Sequence, residues 1–177
     1  MSFAVSAEAL RLRPTRPAEI DFVLALEGDG ENAPFIGSWT RDEHLATLFH
    51  PEREHWIVES GDGERKLGYL IAYDLRRLDC GAFVKRLVVA DKSRGVGREA
   101  LRQFCDHAFR DLGAPFVWLS VKPENERGLR AYRGVGFGDF AVDATRRAEL
   151  SRVVGGFFDR SVLLVCHSAL PPAGGNA

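Results

Sequence analysis

Apolar positions recur along this chain in two rhythms, one of period two and one near 3.6, and their order predicts an α/β domain. Ala9-Leu10-Arg11-Leu12-Arg13 alternates apolar and basic before Pro14, as a half-buried first strand does. Thr15 stands where an N-cap belongs, Pro17 falls in a first turn, and Ile20, Val23, Leu24 and Glu27 lie on adjoining turns, which predicts a helix. Residues 27–37 are glycine-rich, acidic and without period, and read as a loop. Thr40-Arg41-Asp42-Glu43 has capping-box spacing ahead of Leu45, Leu48 and Phe49, so a short helix ends before Pro51. His55–Glu59 and Leu67–Tyr73 flank the turn-rich stretch 60–65 and predict an antiparallel hairpin.

A turn at Leu78–Gly81 precedes a β-branched run, Phe83–Ala90, that breaks at Asp91 into a short basic loop holding Gly95 and Gly97. The helix after it buries Leu101, Phe104, Cys105, Ala108 and Leu112 on one face and stops at Gly113. Phe116–Val121 is apolar at nearly every position, like a fully buried strand. Strand, helix and strand in that order predict parallel neighbours joined by a right-handed crossover. A short helix is expected over 126–134, breaking at Gly134-Val135-Gly136-Phe137. Arg146–Val154 and Phe157–His167 are read as two strands about Gly155-Gly156, an exposed hairpin suited to pairing across a homodimer axis, and 171–177 as a disordered tail. One domain over residues 1–170 follows.

Composition sharpens this reading. With 177 residues and 45 % hydrophobic content the chain suits one well-buried core. Basic residues number 24 against 25 acidic, so no global field recruits nucleic acid or an anionic membrane. No long apolar run and no leader-like N-terminus is present, and a cytoplasmic location is expected. Cys80, Cys105 and Cys166 are odd in number and widely spaced, which suits neither a disulfide framework nor a metal site.

Against this neutral background the basic loop stands out. Glycines let backbone amides approach a ligand, and the first turn of a helix has unpaired N–H groups and partial positive charge. Phosphate is the natural occupant, with Lys92, Arg94 and Arg98 around it. Two glycines that only turn strand into helix are the alternative. Neither a dinucleotide fingerprint nor a P-loop is matched: Ala100 stands where a third glycine belongs, and no Gly-Lys pair follows.

Lys92-Ser93-Arg94-Gly95-Val96-Gly97 matches the pattern Q/R-x-x-G-x-G/A with Lys in first place, and Asn125, Gly128, Tyr132 and Gly136-Phe137 match N-x-x-A-x-x-x-Y followed by G-F. In these motifs and in element order the chain, from about residue 9 to 167, resembles the GNAT superfamily of acetyl-CoA dependent N-acetyltransferases. The resemblance implies a mixed, mostly antiparallel sheet with helices on both faces, splayed between its fourth and fifth strands to admit pantetheine. Main-chain groups of Leu87, Val88 and Val89 would pair with pantetheine, and the amides of Gly95, Val96, Gly97 and Arg98 would hold pyrophosphate. Asn125 would bind near the pantetheine or thioester, the Val89 N–H would be the oxyanion donor, and Tyr132 would protonate the leaving sulfur.

The general base stays open among Glu27, Glu31, Glu59, Asp79 and a water chain, with His44 and His55 suited by pKa. Family members often carry Glu where Phe83 stands, so that base is absent. Glu31 lies in the loop where the resemblance places acceptor recognition, and Glu27, Asp29 and Glu31 would draw in a cationic amine. Phe35 and Trp39 are candidate walls of that pocket. The implied activity is acetyl transfer from acetyl-CoA to a primary amine on a small molecule or peptide; a non-catalytic acyl-CoA sensor is the alternative.

Overall fold

The computed structural model describes residues 9–75, 78–92, 94–156, 158 and 160–169. Among these residues seven strands form one sheet in the order β1-β2-β3-β4-β5-β7-β6. They are β1 (Leu10–Pro14), β2 (Arg53–Ser60), β3 (Lys66–Tyr73), β4 (Ala82–Val89), β5 (Phe116–Val121), β6 (Gly138–Asp139) and β7 (Val162–His167). Every pairing is antiparallel except β4 with β5. One face carries α1 (Ile20–Gly28), α2 (Arg41–Leu48) and α5 (Ala144–Val154); the other carries α3 (Val96–Arg110) and α4 (Glu126–Val135). Among the described residues no helix is long and apolar enough to cross a membrane.

Each face has its own core. Val23, Leu26, Leu150 and Val154 cover Phe83, Val88 and Trp118 on the first, while Leu101, Phe104, Cys105 and Ala108 cover Ala82, Val84 and Leu119 on the second. Alternation along β4 produces this division: Phe83 faces one core and Val84 the other.

Two local expectations are corrected. Arg146–Val154 lies within helix α5: the Asp143 side chain accepts the Arg146 N–H at 2.7 Å, Leu150 and Val154 are buried four residues apart, and Gly155 ends the helix at φ 63°. The glycine pair therefore stops a helix, and the hairpin proposed for pairing across a dimer axis does not exist. Its second half survives as β7, held between β5 and β6; the tail 171–177 lies outside the described residues. Thr15 does not cap the first helical turn either. The Glu19 carboxylate accepts the Arg16 N–H at 2.9 Å, and Thr15 Oγ1 bonds His55 Nδ1 at 2.8 Å.

A bulge in β4 fixes the helices of the first face to the sheet. Register passes from Ile71 opposite Arg86 to Ala72 opposite Val84, so Lys85 has no partner on β3. The extra residue shifts the alternation and turns Arg86 onto the face of Phe83 and Val88. There it meets Glu27 of α1, whose Oε1 accepts from Arg86 Nη1 and from the Tyr69 hydroxyl at 2.6 Å, while Oε2 accepts the Trp39 N–H at 3.0 Å. The Arg86 guanidinium also lies 4.2 Å from the centre of the Trp39 ring.

His44 Nε2 sits 3.2 Å from Glu27 Oε1 without the alignment of a hydrogen bond, and His44 Nδ1 lies 3.2 Å from His55 Nε2. A consistent tautomer set runs from the Thr15 hydroxyl to His55 Nδ1, from His55 Nε2–H to His44 Nδ1, and leaves His44 Nε2–H towards Glu27. Burial alone would push the Glu27 carboxyl up. The His44 ring, the Tyr69 hydroxyl, the Trp39 N–H and the Arg86 charge outweigh it and hold the carboxyl down at about 2. Burial, then the neighbouring His44, holds His55 down at about 3 and therefore neutral.

Glu27→Gln leaves Arg86 buried without a counter-charge, and urea unfolding should show a loss of about 3–5 kcal/mol. A Glu27 carboxyl that binds its proton near 4.5 when unfolded but only at about 2 when folded contributes stability above pH 4.5 that is lost as pH falls towards 2. The Glu27→Gln variant should accordingly show a flatter acid limb; an unchanged urea midpoint and acid limb would contradict this account of the pair.

Candidate active site

The parallel pair is short. Ala82, Phe83 and Val84 pair with Val117, Trp118 and Leu119, after which β4 and β5 run on without bonding each other. The separation begins where Lys85 is inserted, as expected of a bulge that bends and twists its strand. The Ala90 N–H donates to Leu67 O at 2.8 Å, which sets the phase of the β3/β4 ladder. By alternation Val88 bonds Tyr69, whereas Leu87 and Val89, opposite Leu70 and Gly68, turn their main-chain N–H and C=O groups towards the gap. Val88 is thus the exception among the three residues expected to offer main-chain groups to a ligand. Gly68 permits the close approach of β3: a Cβ there would lie 2.3 Å from Val88 O.

Beyond Val89 the chain turns directly into α3. Gly95 has φ 76° and caps the helix. The Glu99 N–H is the first to bond back, to Gly95 O at 3.0 Å, so the N–H groups of Val96, Gly97 and Arg98 have no acceptor within the helix. Arg94 is largely exposed and 3.2 Å from Asp91, and Arg98 lies across Gly134 of α4, where a Cβ would come within 2.9 Å of its guanidinium. Free amides at the positive end of a helix, a left-handed glycine and two arginines fit a pyrophosphate. The Lys92 ammonium, expected around the phosphate, donates to Asn32 Oδ1 and to Val89 O.

On the β5 side, Asn125 caps α4: its Oδ1 accepts the Gly128 N–H at 2.9 Å. A Cβ on Gly128 would stand 2.7 Å from Asn125 Nδ2, so a larger residue there requires the Asn125 side chain to shift. Tyr132 follows two turns later on the same side of the helix, half-buried against the second core. Burial pushes its phenol up to about 12, so it is a hydrogen-bond donor at any working pH.

A cleft of about 370 Å³ is lined by Gly30, Glu31, Pro34 and Phe35 from the α1–α2 loop and by Glu124, Asn125, Glu126 and Arg127. The structure thus places Glu31 and Phe35 of the loop in one cleft with Asn125, whereas Trp39 packs into the first core beside Arg86. The other base candidates are otherwise engaged. Glu59 is buried between Arg11 and Arg13 at 2.6 and 2.8 Å, Glu27 is held by Arg86, His44 and His55 are enclosed, and Asp79 precedes β4 at its far end. Sequence reasoning missed Arg86, Tyr69, Asn32 and Lys122, the last of which donates to Pro34 O at 2.8 Å. Adjacent Lys85 and Arg86 in an otherwise apolar strand were the available sign of the bulge.

Comparison with known proteins agrees with this geometry. Residues 9–138 match the acetyltransferase (GNAT) domain family. Spermidine N(1)-acetyltransferase of Escherichia coli (strain K12) is 25 % identical over 142 residues, covering 75 % of this chain and 74 % of that protein. The crystal structure of spermidine N-acetyltransferase from Vibrio cholerae in complex with CoA and spermine superposes with a TM-score of 0.69 at 16 % identity, over 89 % of this chain and 95 % of that one. A domain from Methanocaldococcus jannaschii DSM 2661 gives 0.70 at 11 % identity, over 90 % and 99 %. A match over most of the chain, on a sheet that splays beside a phosphate-ready helix, makes this protein a member of the GNAT family, an acetyl-CoA dependent N-acetyltransferase.

Proposed function

We propose that the acceptor is a small polycationic amine of the spermidine and spermine class. The acidic rim of the cleft carries this reading: Glu31, Glu124 and Glu126 line, with Arg127, the cavity that adjoins Asn125, and Lys92 lies within electrostatic reach of Glu31. Carboxylates so placed attract a second ammonium as well as the reacting one. The relatives named above, which act on spermidine or hold spermine, support the same class.

Bound acetyl-CoA supplies the acyl group as a thioester, which an unprotonated amine attacks directly. The outward N–H and C=O of Leu87 and the outward N–H of Val89 hold the pantetheine and thioester end. The N–H groups of Gly95, Val96, Gly97 and Arg98, with Arg94 and Arg98, hold the pyrophosphate, and Asn125 contributes its side-chain amide. Glu31 receives the acceptor ammonium, whose proton passes to solvent water before attack. The Val89 N–H donates to the thioester oxygen as negative charge grows there. Tyr132 donates to the sulfur as the C–S bond breaks. With its phenol near 12 and a thiol near 8.5, it acts chiefly as a hydrogen-bond donor to the departing thiolate.

Tyr132→Phe should lower kcat by on the order of 10²-fold while the CoA Kd from calorimetry stays within about twofold. The wild-type rate should rise with pH as the amine deprotonates and show no falling limb from Tyr132 up to pH ~10. An unchanged kcat in the Phe variant would remove Tyr132 from the chemistry. Glu31→Gln should raise the KM for spermidine roughly fivefold, the ~1 kcal/mol of a solvated charge pair, and affect a monoamine less. Equal effects on both amines would refute the polycation reading.

A further inference from the structure

The α1–α2 loop is tied to both sides of the splayed cleft by cations. At its neck Glu27 accepts the Trp39 N–H at 3.0 Å, and Arg86 of β4 holds Glu27 and covers the Trp39 ring. From the end of β5, Lys122 donates to Pro34 O at 2.8 Å. From the end of β4, Lys92 donates to Asn32 Oδ1 and Val89 O, and the Asn32 Nδ2 in turn donates to Leu26 O at 2.9 Å in a buried position. Asn32 therefore carries the position of α1 to Lys92, and Lys92 carries it to the residue whose N–H faces the thioester.

We propose that Lys92 is a positioning residue that latches the acceptor loop to Val89, and that it is not a ligand of the cofactor phosphates. Its place in the motif is the one where this chain departs from Gln or Arg. A compact ammonium with three donors can serve two oxygens on different segments at once, which suits a latch between a loop side chain and a strand carbonyl. The latch also divides the work of Val89: its C=O is occupied by Lys92, and its N–H remains for the thioester oxygen. Arg127, Asp29 and Glu31, two of which line the cleft, lie within electrostatic reach of the same ammonium.

This inference rests on the reading that the α1–α2 loop borders the acceptor, and the test separates the two. In the full chain, Lys92→Met, Asn32→Ala and the double variant are compared by CoA Kd from calorimetry and by acceptor kinetics with spermidine. The latch predicts a CoA Kd within about twofold of wild type, a tenfold or larger fall in acceptor kcat/KM with KM rising, and a double variant no worse than the worse single one. Lys92→Arg, which keeps donors for both oxygens, should recover most of the loss; Arg98→Met should raise the CoA Kd instead. If Lys92→Met melts early, Lys92→Gln is read in the same way. Weakened CoA binding equal to that of Arg98→Met, or unchanged acceptor kinetics beside a raised KM in Glu31→Gln, overturns the latch. Unchanged acceptor KM in both Glu31→Gln and Lys92→Met overturns the acceptor-loop reading itself.

Discussion

Hydrogen-bonding groups on an extended backbone must be met by something, and a parallel strand pair that ends after Val84 and Leu119 leaves the N–H and C=O of Leu87 and the N–H of Val89 facing a gap. The rest of the molecule is arranged around that deficit. Lys85, inserted without a partner on β3, ends the pairing by twisting β4 away from β5, and the same insertion turns Arg86 onto Glu27. One local irregularity therefore opens the cleft and anchors the helices that frame it. A charge pair so deeply enclosed is a weak source of net stability, because desolvation offsets the attraction. Its contribution is geometric: it fixes which way a bulged strand faces.

Donor and acceptor sides share this frame. Strand β4 passes into the left-handed Gly95 and the open end of α3 within a few residues, so the strand edge and the anion site cannot move apart. The loop bearing Glu31 is bound to Arg86, Lys92 and Lys122, which come from β4, the turn after it and the end of β5. A displacement of either splayed strand must therefore displace the cleft that Glu31 and Asn125 line.

Features written in local chemistry were legible in the sequence. The glycines of the phosphate loop, the Thr40–Glu43 capping box, the β2–β3 hairpin, and Asn125 with Tyr132 at helical spacing all need only a few consecutive residues, and all took the expected elements. Helix α5 was misread because Val153-Val154 before two glycines has the look of a strand and turn, while the Asp143 cap and the four-residue spacing of Leu150 and Val154 carry the helical signal. The Glu27 network joins residues 12 to 59 positions apart, a separation at which no local pattern exists. Lys92 matched by its position in the motif, but the bonds of its ammonium to Asn32 and to Val89 O could not be read from the motif.

Across the gap in the sheet β4 turns alternate main-chain groups outward, where coenzyme A can meet them. Amide hydrogen exchange by NMR, with and without coenzyme A, tests it residue by residue. The account predicts fast exchange at Leu87 and Val89 and at the first turn of α3 in the free protein, slowed at those positions on binding, with Val88 protected throughout. Leu87 and Val89 already protected in the free protein, or unprotected when coenzyme A is bound, would contradict it.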